Sequence, residues 1–317
     1  MGRFILRRVT QSLLVLLVMS FIIYNLIGLM PGDPIDLMIA SNPGATPEVV
    51  QHLRAIYGLD QPLVLRYWHW LVAALQGDLG FSRVHSQPVL EVLLPALWQT
   101  CKLLLTSFVL SVLISTVLGV VAALMPGGIV DSVIGLFAFA GISIPVFWLA
   151  LMMILVFAVQ LHWFPASGVS DVGNGSFMDY ARHLVMPVIV LALANTGGFT
   201  RYVRASMLET LRMDHVRTAR AKGAGAWRLV MVHAFRNALI PVVTVWALNF
   251  GTLFGGALVT ETMFAQPGMG KMIYDAIMGN DFNLALSGLL FACLVTLLSN
   301  LAADLCYGWL DPRITLK

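Results

Sequence analysis

The sequence predicts an all-α integral membrane protein with six membrane-crossing helices, and three observations carry that prediction. Apolar residues make up 59% of the 317, charged residues only 11%, and mean hydropathy is +0.85, against about 25% charged in an ordinary soluble domain. Six stretches without Lys, Arg, Asp or Glu, near 9–29, 103–125, 133–161, 184–200, 238–259 and 284–303, reach or approach the roughly 20 residues needed to cross the hydrocarbon. Finally, eight of the 19 Lys and Arg residues fall between Arg201 and Arg236, where Glu209 and Asp214 are the only acids.

The first apolar run, Val9 to Leu29, follows a basic start. It is longer than a signal-peptide core and no A-x-A site follows, so it reads as a retained signal anchor. In the next stretch, to Lys102, soluble patterns return. Thr46-Pro47 opens a helix that runs to Tyr57 and stops at Gly58; a second helix starts near Pro62, spaces Leu65, Trp68, Val72 and Leu75 helically, and ends at Gly77. Both read as an amphipathic cover lying on the spans. The second span carries Ser107, Ser111, Ser115 and Gly119 at four-residue intervals, a small-residue face for close helix packing. The third carries Pro145 in its middle, where a kink is expected. The fourth has 17 residues and needs an extra turn at each end.

In the basic stretch, Asp214 is placed as the N-cap of a two-turn helix, His215 to Lys222, that stops at Gly223. A further helix starts near Ala226, puts Trp227, Val230 and Ala234 on one face, and runs toward Asn237 and Pro241. The fifth span adds Gly251-xxx-Gly255 with Gly256 as a second packing signal, and TETMFAQPGMGKMIYDAIMGND then reads as an outer loop or re-entrant piece.

Orientation follows from the basic residues. With both termini and the Arg201–Arg236 stretch cytoplasmic, 13 Lys and Arg face 5 acids inside, and 6 face 11 outside.

Several functions are excluded. A net charge of +3 does not suggest nucleic-acid binding. The three cysteines have no paired spacing. QPGMGKM is not a phosphate-binding loop, because Ala265 and Met272 stand where glycine and Ser or Thr are required. No catalytic motif is present, and the seven histidines are scattered as surface or interfacial residues with no metal site expected. An ion-coupled carrier keeps an ionisable group within the membrane; the six cores have none, and Glu261 and Asp304, just beyond span ends, are assigned structural roles. Driving energy is therefore expected to enter through a cytoplasmic contact.

HVRTARAKGAGAWRLVMVHAFRNALIPVV resembles the coupling-loop signature of binding-protein-dependent ABC transporter permeases. Its triplet position is held by Arg217, Thr218 and Ala219, its glycine by Gly223, and its close by Arg236, Asn237, Ile240 and Pro241. The first two triplet positions depart from the general Glu-Ala pattern, but RTARAKG followed by RNALIPVVT is how the dipeptide, oligopeptide and nickel branch is written. MPGDP, YGLDQPL, GDLGFS, PVFWLAL, SMLE, PGMGKM and DPRI look like further landmarks of that branch, whereas MPGGIVD lacks the basic residues expected in its loop.

The resemblance implies the type I importer fold in a bacterial cytoplasmic membrane. It divides the chain into 1–30 (first span), 31–96 (extracytoplasmic subdomain), 97–308 (transmembrane domain) and 309–317 (tail). It implies a second, homologous permease, two ATPase subunits that bind ATP and Mg, and an extracytoplasmic substrate-binding protein. Short peptides lead as substrate, with nickel, a metal chelate, glutathione or an opine as alternatives. Asp214 to Gly223 becomes an ATPase-docking helix, with Ala219 and Ala221 allowing close approach and His215, Arg217, Thr218, Arg220 and Lys222 around them. A different class, the ion-coupled secondary carrier, would transport as a single chain without ATP.

Overall fold

The computed structural model describes residues 2–29, 61–171, 173, 175–251 and 253–310. Its elements are α1 (Gly2–Gly28), α2 (Leu63–Leu75), an antiparallel hairpin of β1 (Phe81–Ser82) and β2 (Gln87–Pro88), α3 (Val89–Leu124), α4 (Ile129–Ser143) and α5 (Val146–Gln160). There follow α6 (Phe177–Leu211), α7 (Asp214–Ala221), α8 (Ala226–Phe250), α9 (Leu253–Met263), α10 (Met269–Met278) and α11 (Phe282–Leu310). Among the described residues five helices are long and apolar enough to cross a membrane, or six spans if the bent pair α4–α5 counts as one. The expected helix ending at Tyr57 and the C-terminal tail lie outside the described residues.

The spans start and stop elsewhere than hydropathy places them. α3 begins at Val89, so the expected domain boundary at 97 falls inside a helix. α6 is 35 residues long and carries Arg201 and Arg204 as ordinary helical residues, so the fourth span gains far more than one turn at each end. Ser176 caps its start by accepting from Asp179 N at 3.3 Å. The predicted fifth span is divided between α8 and α9.

Pro145 does more than kink the third span. Proline drives the preceding residue out of the α region, and Ile144 is extended at φ −82°, ψ 123°. The helix therefore ends at Ser143 and restarts at Val146 after a turn of 103°. Pro95, Pro187 and Pro241 sit inside continuous helices.

α6 is the hub of the bundle. On one side Gly119 of α3 meets it so closely that a Cβ there would lie 2.6 Å from Val203 Cβ and 2.9 Å from the Thr200 carbonyl. Ser107, Ser111 and Ser115 are buried along the same stripe. On the other side a Cβ on Gly197 would lie 2.2 Å from the Ala138 carbonyl of α4. Because that obstacle is backbone, Gly197→Ala is expected to destabilise the detergent-solubilised chain by about 1–3 kcal/mol, read as a lower thermal midpoint. Of the glycines expected to pack in the fifth span, a Cβ on Gly251 would lie 3.2 Å from Asn300 Oδ1, but Gly255 faces open space. The helix breaks after Phe250, and beyond the break it is Gly256, not Gly255, that faces α6, where a Cβ would lie 3.0 Å from Leu191 Cδ1.

α2 lies against α1 through Tyr67, whose hydroxyl shares a 2.7 Å hydrogen bond with Ser20 Oγ and whose ring packs edge-on to Phe21. The expected face of Leu65, Trp68, Val72 and Leu75 is exposed instead. The contact selects the residue that also satisfies a buried hydroxyl.

At the hairpin end, buried Asp281 caps α11 by accepting from Leu284 N at 3.3 Å and pins the hairpin by accepting from Ser82 Oγ at 2.5 Å and Val84 N at 3.0 Å. This is what the GDLGFS stretch builds. Nearby, buried Glu261 accepts from Gly270 N at 2.8 Å, Lys271 N at 3.2 Å and Thr100 Oγ1 at 2.5 Å, while Thr100 Oγ1 accepts from Met269 N at 2.7 Å. The N-terminus of α10 is thus occupied by the chain's own carboxylate. A Cβ on Gly268 would lie 2.1 Å from the Glu261 carboxyl carbon, so PGMGKM needs its glycine to admit an acid from the same chain. Arg8 and Asp304, paired at 2.9 Å, join α1 to α11.

Candidate docking site

α7 sits between α6 and α8 in the chain and packs on both, and its seat is apolar. Val216 and Ala219 are buried in one cluster with Phe199, Val203 and Met207 of α6 and with Leu229, Ala234 and Ala238 of α8. Its end is a Schellman turn: Gly223 N donates to the Arg220 carbonyl at 3.0 Å, Ala224 N donates to the Ala219 carbonyl at 3.1 Å, and Gly223 takes φ +81°. Glycine is required there because an L side chain rarely adopts that conformation.

The other end is held by polar contacts. His215 Nε2 lies 3.0 Å from the His233 carbonyl and 3.2 Å from Asn237 Nδ2, which itself donates to the His233 carbonyl at 3.0 Å. Among the closing residues of the motif, Asn237 therefore fixes α7 directly. Arg236, Ile240 and Pro241 are exposed on α8. Ser206 Oγ donates to the Ala238 carbonyl at 2.7 Å and ties α6 to α8 beneath the site.

Once seated, α7 presents Arg217, Thr218, Arg220, Ala221 and Lys222 outward, with His215 exposed at its edge. Two sequence assignments change. Asp214 is not the N-cap: Met213 holds that position, and Asp214 is the first helical residue, exposed and 3.4 Å from Arg217 Nη1. An acid in the first turn still suits the helix dipole. Ala219 does not face a partner, because it lies on the same side of the helix as Val216, three residues before it. Close outward approach therefore falls to Ala221. Trp227, expected on a face with Val230 and Ala234, is 77% exposed while Leu229 is buried. The π-wound turn Leu229–Phe235 shifts the register that an α-helical reading assumes.

The seat also reaches α4. Arg204 of α6 donates from Nε and Nη2 to the two oxygens of Asp131, both at 2.6 Å, and Asp131 Oδ2 accepts from Gly127 N at 2.9 Å. This fork joins positions 73 apart, and no local sequence signal announces it.

Scattered histidines were expected, but His183 is buried. Its Nδ1 lies 3.0 Å from the Asp179 carbonyl, and Asp179 Oδ2 accepts from Asp171 N at 2.9 Å. Donor atoms of Asp171, Asp179 and His183 lie within 4.8 Å of one another. Gln266 Nε2 donates to the Gly168 carbonyl at 2.6 Å nearby. These contacts staple the loop before α6 onto its first turns.

With this geometry in view, comparisons with known proteins are decisive for class. The family described as "Binding-protein-dependent transport system inner membrane component" matches residues 115–316, and the family of its N-terminal membrane component matches residues 1–104. The chain is 37% identical over 314 residues, 99% of each chain, to a putative peptide transport system permease protein of Brucella abortus (strain 2308). It is 36% identical over 316 residues, 99% of each, to the oligopeptide transport system permease protein AppB of Bacillus subtilis (strain 168). Over the full length of both chains it is 36% identical to the dipeptide transport system permease protein DppB of Escherichia coli (strain K12). A solved structure of the MetNI methionine ABC transporter in an inward-facing conformation shares the fold, with a TM-score of 0.58 at 19% identity, covering 70% of this chain and 97% of that one. The chain is a multi-pass inner-membrane protein, and it belongs to the family of binding-protein-dependent transport system inner membrane components.

Proposed function

We propose that this permease forms half of the translocation pathway of an ATP-driven importer of short peptides, and that α7 is where ATPase subunits push on it. The family implies ATPase and substrate-binding partners; peptide as the substrate class is supported by the relatives named above. The observation that carries the coupling role is the construction of α7. Its apolar side is sunk between α6 and α8, both ends are fixed, and a small residue ringed by Arg217, Arg220 and Lys222 faces outward. A helix held in that way transmits force as a rigid body. Its cations suit acidic and carbonyl groups in a groove.

On this reading both termini and α7 face the cytoplasm, in agreement with the excess of Lys and Arg there. A second, homologous permease completes the pathway. ATP and Mg are bound by the ATPase subunits, and ligand choice rests with the extracytoplasmic binding protein.

The test is the full assembly in proteoliposomes with Arg220→Glu or Ala221→Trp in this chain. Both place a clash on the outward face without touching the seat. Peptide uptake and binding-protein-stimulated ATP hydrolysis are expected to fall together by about tenfold or more, the effect of a repulsive group in a docked interface. Wild-type rates for both variants would refute docking through α7.

A further inference from the structure

We propose that the Asp131–Arg204 pair latches α4 to α6, so that displacement of α7 is delivered into the broken third span. This makes both residues positioning residues for transport, and the inference rests on the docking reading of α7.

The path is continuous. Val216 and Ala219 seat α7 against Phe199, Val203 and Met207 of α6, so α6 takes up whatever moves α7. From α6 to α4 there are three points of contact in antiparallel register: Arg204 with Asp131, Gly197 with the Ala138 carbonyl, and the Leu193 carbonyl with Gly141, where a Cβ would lie at 3.2 Å. The two glycine contacts are smooth. Small residues let helices approach closely, and nothing in them resists sliding along the axis. The fork at Asp131 is different in kind. It has two bonds of 2.6 Å, its carboxylate side chain is only 9% exposed, and a third bond from Gly127 N ties it to the turn that ends α3. A bidentate charged pair is directional, so it fixes how far along α6 the helix α4 can sit.

At its far end α4 stops at Ser143, and extended Ile144 lies before Pro145. The far half of the span, α5, packs instead on Met186 and Val190 of α6 and on Phe264. Motion that enters at the latch can therefore change the angle between α4 and α5 at the 103° break, because the two halves of the span are held to α6 at different levels.

The experiment uses the complete transporter in proteoliposomes with Asp131→Asn, Arg204→Gln, and the exchange Asp131→Arg with Arg204→Asp. Uptake and binding-protein-stimulated ATP hydrolysis are measured on the same preparation. Loss of the latch is expected to lower uptake per ATP hydrolysed by roughly 2- to 30-fold, the span of coupling effects from residues that touch neither ligand, with hydrolysis retained. The exchanged pair is expected to recover part of that loss. A merely structural role would lower both rates together and leave their ratio unchanged, which overturns the proposal, as does wild-type coupling in both single variants. Should the single variants fail to assemble, Arg204→Lys keeps the charge but loses the fork. Reduced uptake per ATP in that variant supports the latch, and an unchanged ratio refutes it. Arg220→Glu, assayed alongside, separates the two readings. Effects of Arg220→Glu without effects at the latch refute only the latch, whereas wild-type rates in both Arg220→Glu and Ala221→Trp refute docking itself.

Discussion

Val216→Asp should leave the bundle assembled and nearly abolish ATP-driven uptake. Val216 is fully buried between α6 and α8, with Met207 and Ala234 also closed off from the surroundings. A carboxylate placed there has no cation within the apolar cluster. Burying an unpaired charge costs far more than releasing eight residues of surface helix, so α7 leaves its seat while the α6–α3 and α6–α4 contacts persist. Uptake is expected to fall on the order of 100-fold, the factor that corresponds to a few kcal/mol of misplaced polar burial. Val216→Thr, close in shape, should fall between Val216→Asp and wild type. Uptake by proteoliposomes and co-purification of the ATPase subunits check this together. A Val216→Asp assembly that transports at half the normal rate or better would show that the seat is not needed.

Glu261→Ala is expected to produce the largest loss of stability. The carboxylate accepts three hydrogen bonds, from Thr100 Oγ1, Gly270 N and Lys271 N. At about 1–1.5 kcal/mol each, their loss amounts to roughly 3–5 kcal/mol, before counting the cavity left at the α9–α10 turn. In detergent, thermal unfolding should shift to markedly lower temperature. Glu261→Gln retains the shape but turns one acceptor into a donor against two N–H groups and a hydroxyl, so a smaller loss is expected. A Glu261→Ala chain as stable as wild type would mean that the cap is not structural.

The apolar spans, the short helix α7 and its Gly223 stop were legible because each is written locally. Apolar run length, a charge cluster and one left-handed glycine need no knowledge of the rest of the chain. What was not legible depends on partners far away in sequence. Pro145 breaks its span, whereas Pro187 and Pro241 are absorbed, and all three carry the same intrinsic restriction. Only the packing of α4 and α5 on different parts of α6 separates them. Gly255 and Gly256 are equivalent as letters, and a helix break four residues earlier decides which one packs. Ala219 looked like a docking surface by composition and is an anchor by phase, because it follows Val216 at helical spacing. The Asp131–Arg204 fork and the Thr100–Glu261 cap join acids and donors 73 and 161 positions apart, where one sequence offers no pattern. His183 shows the same limit: its burial follows from the loop folded over it, not from its neighbours on α6.

The hairpin pin has a consequence for how the chain is made. Ser82 emerges from the ribosome long before its acceptor Asp281, 199 residues later, and Arg8 precedes its partner Asp304 by 296. The first helix shares its buried cluster with α10 and α11, through Ile23 and Ile27. α1 and the hairpin corner therefore gain their α10 and α11 contacts only after nearly every other helix has been made, whereas their contacts with α2 and α3 are available early. A nascent chain arrested before α11 lacks the Ser82–Asp281 and Arg8–Asp304 contacts. This seam is therefore the last to close as the chain is made.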